Sequence, residues 1–164
     1  MKYVLFSLAL LGSLPLGIGA SLNRRWIGFI VFAIFLPALF FNSTALNFFS
    51  DEDYRGTARG MEVSFIYILS FAVLLALALR RSLANPLAGW GARLFLIYFL
   101  WSACTFVNAD DRLVSWFELW KMIMVFLVYW AMTSWMKASD NPGTVVNSLG
   151  VFILLNFLPV VYQH

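Results

Sequence analysis

Six long apolar runs, separated by short polar segments, divide the chain. A helix rises about 1.5 Å per residue, so about 20 mostly apolar residues cross a bilayer core of about 30 Å. The runs meet or nearly meet this length, and they cover residues 3–20, 26–45, 62–80, 93–109, 119–137 and 144–163. The pattern predicts an all-α fold, a polytopic transmembrane helix bundle of about six spans joined by short loops, with residues 1–164 as a single domain.

Composition agrees with this pattern. Hydrophobic residues make up 62% of the chain, charged residues only 12%, and the mean hydropathy is +0.84. A typical soluble domain has about 45–50% apolar and about 25% charged residues. These figures predict an integral membrane protein surrounded by membrane lipids, and they exclude a soluble enzyme, a nucleic-acid binder and a disulfide mini-domain. Because Cys104 is the only cysteine and His164 the only histidine, no metal site and no cofactor are expected.

The first run has some features of a secretory signal peptide. Lys2 precedes an apolar stretch that ends in small residues at 17–20. However, Arg24 and Arg25 lie just beyond the potential cleavage site and would resist export, so we expect a retained helix. Within that helix, Ser13 and Gly17 are four residues apart, and such a pair of small residues lets another helix approach closely.

Basic residues in the loops indicate the orientation. The loops on one side carry six basic residues and one acid: Arg24, Arg25, Arg80, Arg81, Arg93, Lys137 and Asp140. The other side has five basic residues and seven acids. Because cytoplasmic loops are richer in Lys and Arg, we place the arginine-pair loops in the cytoplasm and both chain termini on the outer side. Arg24, Arg25, Arg80 and Arg81 are then the residues that set topology.

The loop between the second and third runs carries the first candidate site. Arg55 and Arg59 are four residues apart, so on a helix they share one face. Two guanidinium groups at a membrane surface suit a phosphate or pyrophosphate headgroup. Alternatively, they pair with the neighbouring acids at 51–53 and anchor the loop. Those three acids also offer oxygen ligands to a divalent cation, but an isolated acidic triplet is weak support for a metal site.

Tryptophans mark the loop between the fourth and fifth runs. Trp116 and Trp120 are four residues apart and share a helix face. Indole rings at a membrane interface explain both residues without any ligand, so we interpret them as interfacial aromatic anchors. The functional alternative is a platform for a sugar ring or an isoprenoid chain.

At these two loops the chain resembles the O-antigen ligase-like family of bacterial membrane proteins, which includes exopolysaccharide polymerases. The resemblance is carried by residues 49–63, FSDEDYRGTARGMEV, and 115–121, SWFELWK. It implies an inner-membrane protein that handles glycans on an undecaprenyl-pyrophosphate carrier at the periplasmic face. Such proteins usually have ten or more helices, and their catalytic Arg and His residues lie in a loop beyond the matched part. We therefore expect that this 164-residue chain alone is not catalytic.

Two other functions compete with this one. The first is a non-catalytic structural or accessory subunit that binds other membrane protein subunits, because the apolar runs offer a large surface rich in Phe and Trp. The second is a small transporter or channel. The apolar cores contain no Asp, Glu, Lys, Arg or His, and ion-coupled carriers need such groups at membrane depth. The transporter is therefore the weakest of the three.

Overall fold

The computed structural model describes residues 2–34, 45–50, 60–140 and 142–162, most of them helical. In chain order the elements are helices α1 (Lys2–Leu22) and α2 (Arg24–Ala33), strands β1 (Ala45–Ser50) and β2 (Gly60–Ser64), and helices α3 (Phe65–Leu79), α4 (Trp90–Thr105), α5 (Arg112–Ser139) and α6 (Gly143–Tyr162). A short 3-10 turn, Phe106–Asn108, follows α4. The predicted helical class is confirmed in these ranges.

Local side chains determine where several helices begin and end. Asn23 caps α2, and its side-chain oxygen accepts a hydrogen bond from the Arg25 N–H at 2.9 Å. Asp111 caps α5 in the same way by accepting from two backbone N–H groups. This cap explains why α5 begins seven residues before the predicted start of the fifth span at 119. The same helix ends where Asp140 adopts a left-handed backbone conformation with φ of 51°.

The centre of the bundle lies where α1, α2, α3 and α5 meet. Helix α3 packs most extensively on α1 and also contacts α5. Close approach of α1 and α3 depends on Gly17, where an added Cβ would lie 2.9 Å from the Ala72 carbonyl oxygen. Ser13 is buried on the same face, so the predicted small-residue contact is confirmed. The main core is formed by Ile27, Ile30, Val31, Ile34, Val73, Leu74, Ala76, Leu77, Ala131, Met132 and Trp135.

Side chains tie several helix ends together at one end of the bundle, which we call the arginine end because it carries Arg24 and Arg80. The Arg80 Nη1 group donates to the Ser21 carbonyl of α1 at 2.8 Å. The Arg24 Nη2 group donates to the Ala138 carbonyl of α5. The carboxyl ends of α1, α3 and α5 therefore meet the amino end of α2 here, as expected for alternating helix directions.

A two-stranded antiparallel hairpin interrupts the helical pattern. Strands β1 and β2 pair with Ala45 opposite Ser64 and Ser50 opposite Gly60, with an irregularity between. The predicted helix 26–45 is therefore wrong at its last residue, and its residues 35–44 lie outside the described part of the chain. The predicted helix 62–80 is wrong at residues 62–64. Phe48, Phe49 and Val63 are residue types that favour strands, and hydropathy alone did not separate them from the adjoining helices.

Helix α4 packs less tightly than its neighbours. Among the described side chains of α4, only Ala92 is buried. Its main partner is α5, on which Phe95 stacks against Phe126 with ring centroids 5.6 Å apart. Helix α4 with its 3-10 turn, Trp90–Asn108, and α5 have 19 and 28 residues, and within the described ranges these two segments are long and apolar enough to cross a membrane. Counting only residues whose side chains are described, the other apolar segments are shorter: Ser7–Leu22 within α1, Phe65–Leu79, and Gly143–Leu155 within α6.

Candidate functional site

Of the two loops singled out from the sequence, the structure describes the one with the tryptophans but not the arginines of the other. Arg55 and Arg59 lie outside the described residues, so their headgroup role stays a prediction. Trp116 is exposed and makes an edge-to-face contact with Phe106, with ring centroids 6.4 Å apart. An exposed indole at a helix end fits the interpretation of Trp116 as an interfacial anchor.

Trp120 has a hydrogen-bond partner that the sequence did not indicate. Its Nε1 group donates a hydrogen bond to the Glu62 carbonyl of β2 at 3.1 Å. The side chain is half-buried and links α5 to the hairpin across 58 positions of sequence. Trp120 therefore fastens the hairpin to the amino end of α5, which together we call the hairpin end of the bundle.

The four arginines that are predicted to set topology lie together at the other end. All four side chains are exposed, and Arg24 and Arg80 each donate a hydrogen bond to a helix-terminal carbonyl. Arg81 has a left-handed backbone with φ of 53°, and it lies where the chain leaves α3. The structure thus places all four arginines at one end of the bundle.

A concave apolar surface lies between α4 and α5. One open cavity of about 390 Å³ is lined by Phe95, Leu96, Phe99, Ile123 and Phe126, with no polar lining atoms. A second cavity of about 490 Å³ adjoins it and shares two phenylalanines, its lining being Gly91, Ala92, Phe95, Val125, Phe126 and Tyr129. Together these cavities form one surface, which we call the α4–α5 groove.

The position of the groove follows from the loop before α4. Trp130 Nε1 donates to the Ala84 carbonyl at 2.9 Å, and the Ala84 N–H donates to Ser134 Oγ at 3.3 Å. Because both partners lie near the carboxyl end of α5, α4 begins at the arginine end. The groove consequently runs from Gly91 and Tyr129 near that end toward the middle of the bundle.

The lining of the groove is almost entirely apolar. Its walls are aromatic rings and branched aliphatic groups, and they include no carboxylate, amine or imidazole. Such a surface provides dispersion contacts and no nucleophile, general base or ion path. Within the described residues, no cluster of three or more His, Cys, Asp or Glu side chains that could hold a metal ion is found.

Sequence reasoning missed the groove, although its residues carry a weak signal. Phe95 and Phe99 are four residues apart on α4, and Ile123 and Phe126 are three apart on α5, so each pair shares a helix face. Apolar residues surround both helices, however, and the pattern therefore did not show which face turns to the neighbour.

Comparison with known proteins gives no match: no protein-family model fits the chain, and neither a curated protein nor a solved structure is similar to it. The resemblance to O-antigen ligase-like proteins stays a prediction, and function is argued below from the geometry of this chain.

Proposed function

We propose that the chain is a multi-pass bundle of the bacterial inner membrane that holds the hydrocarbon part of a polyprenyl-pyrophosphate-linked glycan. In this proposal it is the amino-terminal part of an O-antigen ligase-like protein, and it contributes carrier binding without catalysis. The observation that carries the proposal is the apolar α4–α5 groove, which lies between the two segments long enough to cross a bilayer.

The exposed surface of the bundle supports the membrane part of this proposal. Trp90 and Trp101 on α4 are 78% and 70% exposed, and α1 exposes several leucines. In water such a surface would favour aggregation, whereas lipid chains solvate it without cost. We place the arginine end in the cytoplasm and the hairpin end in the periplasm, following the excess of basic residues.

The carrier has a hydrocarbon chain and a pyrophosphate, and the two need different surroundings. The groove offers the chain aromatic walls at membrane depth. For the pyrophosphate we propose Arg55 and Arg59, on sequence grounds alone, in the segment that joins β1 to β2. A long polyprenyl chain would enter from the hairpin end and extend toward Phe99, where the groove begins.

Labelling tests the arrangement in the membrane. After Cys104→Ser, single cysteines replacing Arg25 and Ser82 should react with an impermeant thiol reagent from the cytoplasmic side. A cysteine replacing Asp110 should react from the periplasmic side. If the first two positions lie on opposite sides of the membrane, the proposed topology is wrong.

Cross-linking tests carrier binding. The protein in lipid nanodiscs is exposed to a photoreactive polyprenyl pyrophosphate, and the labelled peptides are identified by mass spectrometry. Gly91 lines the groove, and no atom lies within 4 Å of a Cβ added there, so Gly91→Leu should extend into the groove and reduce labelling several-fold. Gly12→Leu is the matched control, because Gly12 also has open space but lies on α1. Equal labelling of both variants would contradict carrier binding in the groove.

A second candidate, the accessory subunit, is favoured by the exposure of α4. A helix with one buried residue and two exposed tryptophans, Trp90 and Trp101, is typical of a surface that packs against another protein. Extraction in mild detergent and mass measurement would then give a stoichiometric assembly with unrelated chains. Trp101→Ala should dissociate that assembly, whereas a lone monomer would oppose this function.

A further inference from the structure

A separate cavity at the arginine end has a mostly polar lining, unlike the apolar groove. Its open volume is about 450 Å³, and its polar lining comes mainly from Arg24, Arg80 and Ser82. The indole of Trp135 forms another wall. We call this cavity the arginine cleft. It lies where α2 begins and where α3 and α5 end, on the far side of the bundle from the hairpin.

Both guanidinium groups in the cleft are held by hydrogen bonds to main-chain carbonyls. Arg24 donates to the Ala138 carbonyl and Arg80 donates to the Ser21 carbonyl. Each guanidinium has five N–H donors, so each keeps several donors beyond the one bond it makes within the described part of the chain. The bonds to helix-terminal carbonyls fix two positively charged forks beside one cavity.

Trp135 gives an independent sign of a missing partner. Its side chain is 5% exposed, and its Nε1 atom is buried without a hydrogen-bond partner among the described residues. The ring is wedged against α2, since a Cβ added to Gly28 would lie 3.1 Å from the indole Cζ2 atom. A buried N–H group without an acceptor is rare in folded proteins, and here it belongs to a residue that lines the cleft.

The charged side chains that line the cleft are both basic. No acidic side chain lines it. The sequence near the arginine end contains one acid beside six basic residues, which are Arg24, Arg25, Arg80, Arg81, Arg93 and Lys137. That acid, Asp140, is exposed. Arginine forks match the tetrahedral oxygens of a phosphate and bind them through two parallel hydrogen bonds.

We propose that the arginine cleft binds a phosphate group, with Arg24 and Arg80 as the charged donors and the Trp135 Nε1 group as a neutral third donor. The phosphate belongs either to the headgroup of an anionic lipid or to a soluble phosphate compound. Recognition of phosphate depends only on the cleft. The lipid source rests also on the proposed membrane placement, in which the cleft lies at the depth of the cytoplasmic headgroups.

The test uses the full chain in two kinds of nanodisc, one of phosphatidylcholine alone and one that also contains phosphatidylglycerol. Native mass spectrometry measures the phosphatidylglycerol retained by the protein, and calorimetry measures inorganic phosphate binding in the zwitterionic discs. We expect the double substitution Arg24→Gln with Arg80→Gln to weaken phosphate binding about tenfold or more, because it removes two charge-assisted contacts.

A charge-matched control separates the cleft from the general field of the arginine end. Arg25→Gln with Arg81→Gln removes the same charge from two equally exposed arginines that do not line the cleft. This variant should bind phosphate within about twofold of the unmodified protein, because neither side chain lines the cleft and salt screens charges that lie farther from the ligand. An equal loss in both double variants would overturn the proposal.

Trp135→Phe keeps the proposal testable if the arginine variant fails to fold. This change removes the Nε1 donor and keeps an aromatic ring, so the folded state should persist while phosphate binding falls several-fold.

The two probes distinguish the source of the phosphate. Retention of phosphatidylglycerol without binding of inorganic phosphate identifies a lipid headgroup. Binding of both identifies the phosphate group itself. Unchanged affinity after Trp135→Phe, or no binding of either probe, overturns the proposal, and neither result bears on the carrier groove.

Discussion

Replacing Gly17 by alanine tests the contact on which the packing of α1 and α3 depends. The new methyl group would lie 2.9 Å from the Ala72 carbonyl oxygen and 2.9 Å from Leu75 Cδ2. Ordinary van der Waals contact for a Cβ begins at 3.4 Å, so both neighbours are about half an ångström too close. The leucine methyl can rotate, but the carbonyl belongs to the backbone of α3. The two helices must therefore separate.

The expected magnitude follows from two terms of opposite sign. Overpacking a close contact costs about 1–3 kcal/mol. Alanine also favours a helix over glycine by about 0.5–1 kcal/mol. Gly12→Ala gains the second term without the first, because no atom lies within 4 Å of its added Cβ. The difference between the two variants therefore isolates the steric cost, and we expect Gly17→Ala to be less stable than Gly12→Ala by about 1–3 kcal/mol.

The assay is reversible unfolding in mixed micelles with increasing sodium dodecyl sulfate, followed by circular dichroism. Gly19→Ala is a second control on the same helix, since no atom lies within 4 Å of that position either. If Gly17→Ala is as stable as both controls, α1 does not pack on α3 as described, and the small-residue argument is refuted.

Three further substitutions test single hydrogen bonds. Ser134→Ala should lower the free energy of unfolding by about 1–3 kcal/mol, because the buried Ala84 N–H loses its acceptor; equal stability would contradict the role of this bond. Trp120→Phe should leave global stability within about 1 kcal/mol but speed hydrogen exchange in β2, where Glu62 loses its indole donor; unchanged exchange would show that the hairpin is held otherwise. Ser148→Ala should cost about 0.5–1.5 kcal/mol in detergent unfolding, because its hydroxyl donates to a carbonyl of α2 at 2.7 Å; no loss would mean that apolar packing alone holds α6.

The sequence was sufficient for most helices because a long apolar run that begins at a capping residue has few alternatives to a helix. Apolar length placed α6 within one residue of its observed ends, and the spacing of Ser13 and Gly17 identified the tight helix contact. The predictions were wrong where an apolar run changes its backbone conformation. Ala45 and Val63 belong to such runs, and hydropathy is the same for a strand and for a helix.

The binding surfaces depend on information that no local pattern contains. Arg24 meets the Ala138 carbonyl across 114 positions of sequence, and this contact creates one wall of the arginine cleft. The α4–α5 groove similarly depends on which side of α4 turns toward Phe126, although apolar residues surround that helix. Sequence patterns predict that a helix is apolar all round, but the direction of its faces is decided by tertiary packing.

The arginine cleft couples binding to stability, because the same two side chains serve both. Arg24 and Arg80 connect α2 to α5 and α3 to α1 through helix-terminal carbonyls. Their guanidinium groups are therefore already ordered before a phosphate arrives, which lowers the entropic cost of binding. A ligand that needs this folded arrangement must in turn stabilise it, by about 2.7 kcal/mol when its concentration is about 100 times its Kd. Because unfolding separates the helices, this added stability should depend on Arg24 and Arg80 and persist when only Arg25 is changed.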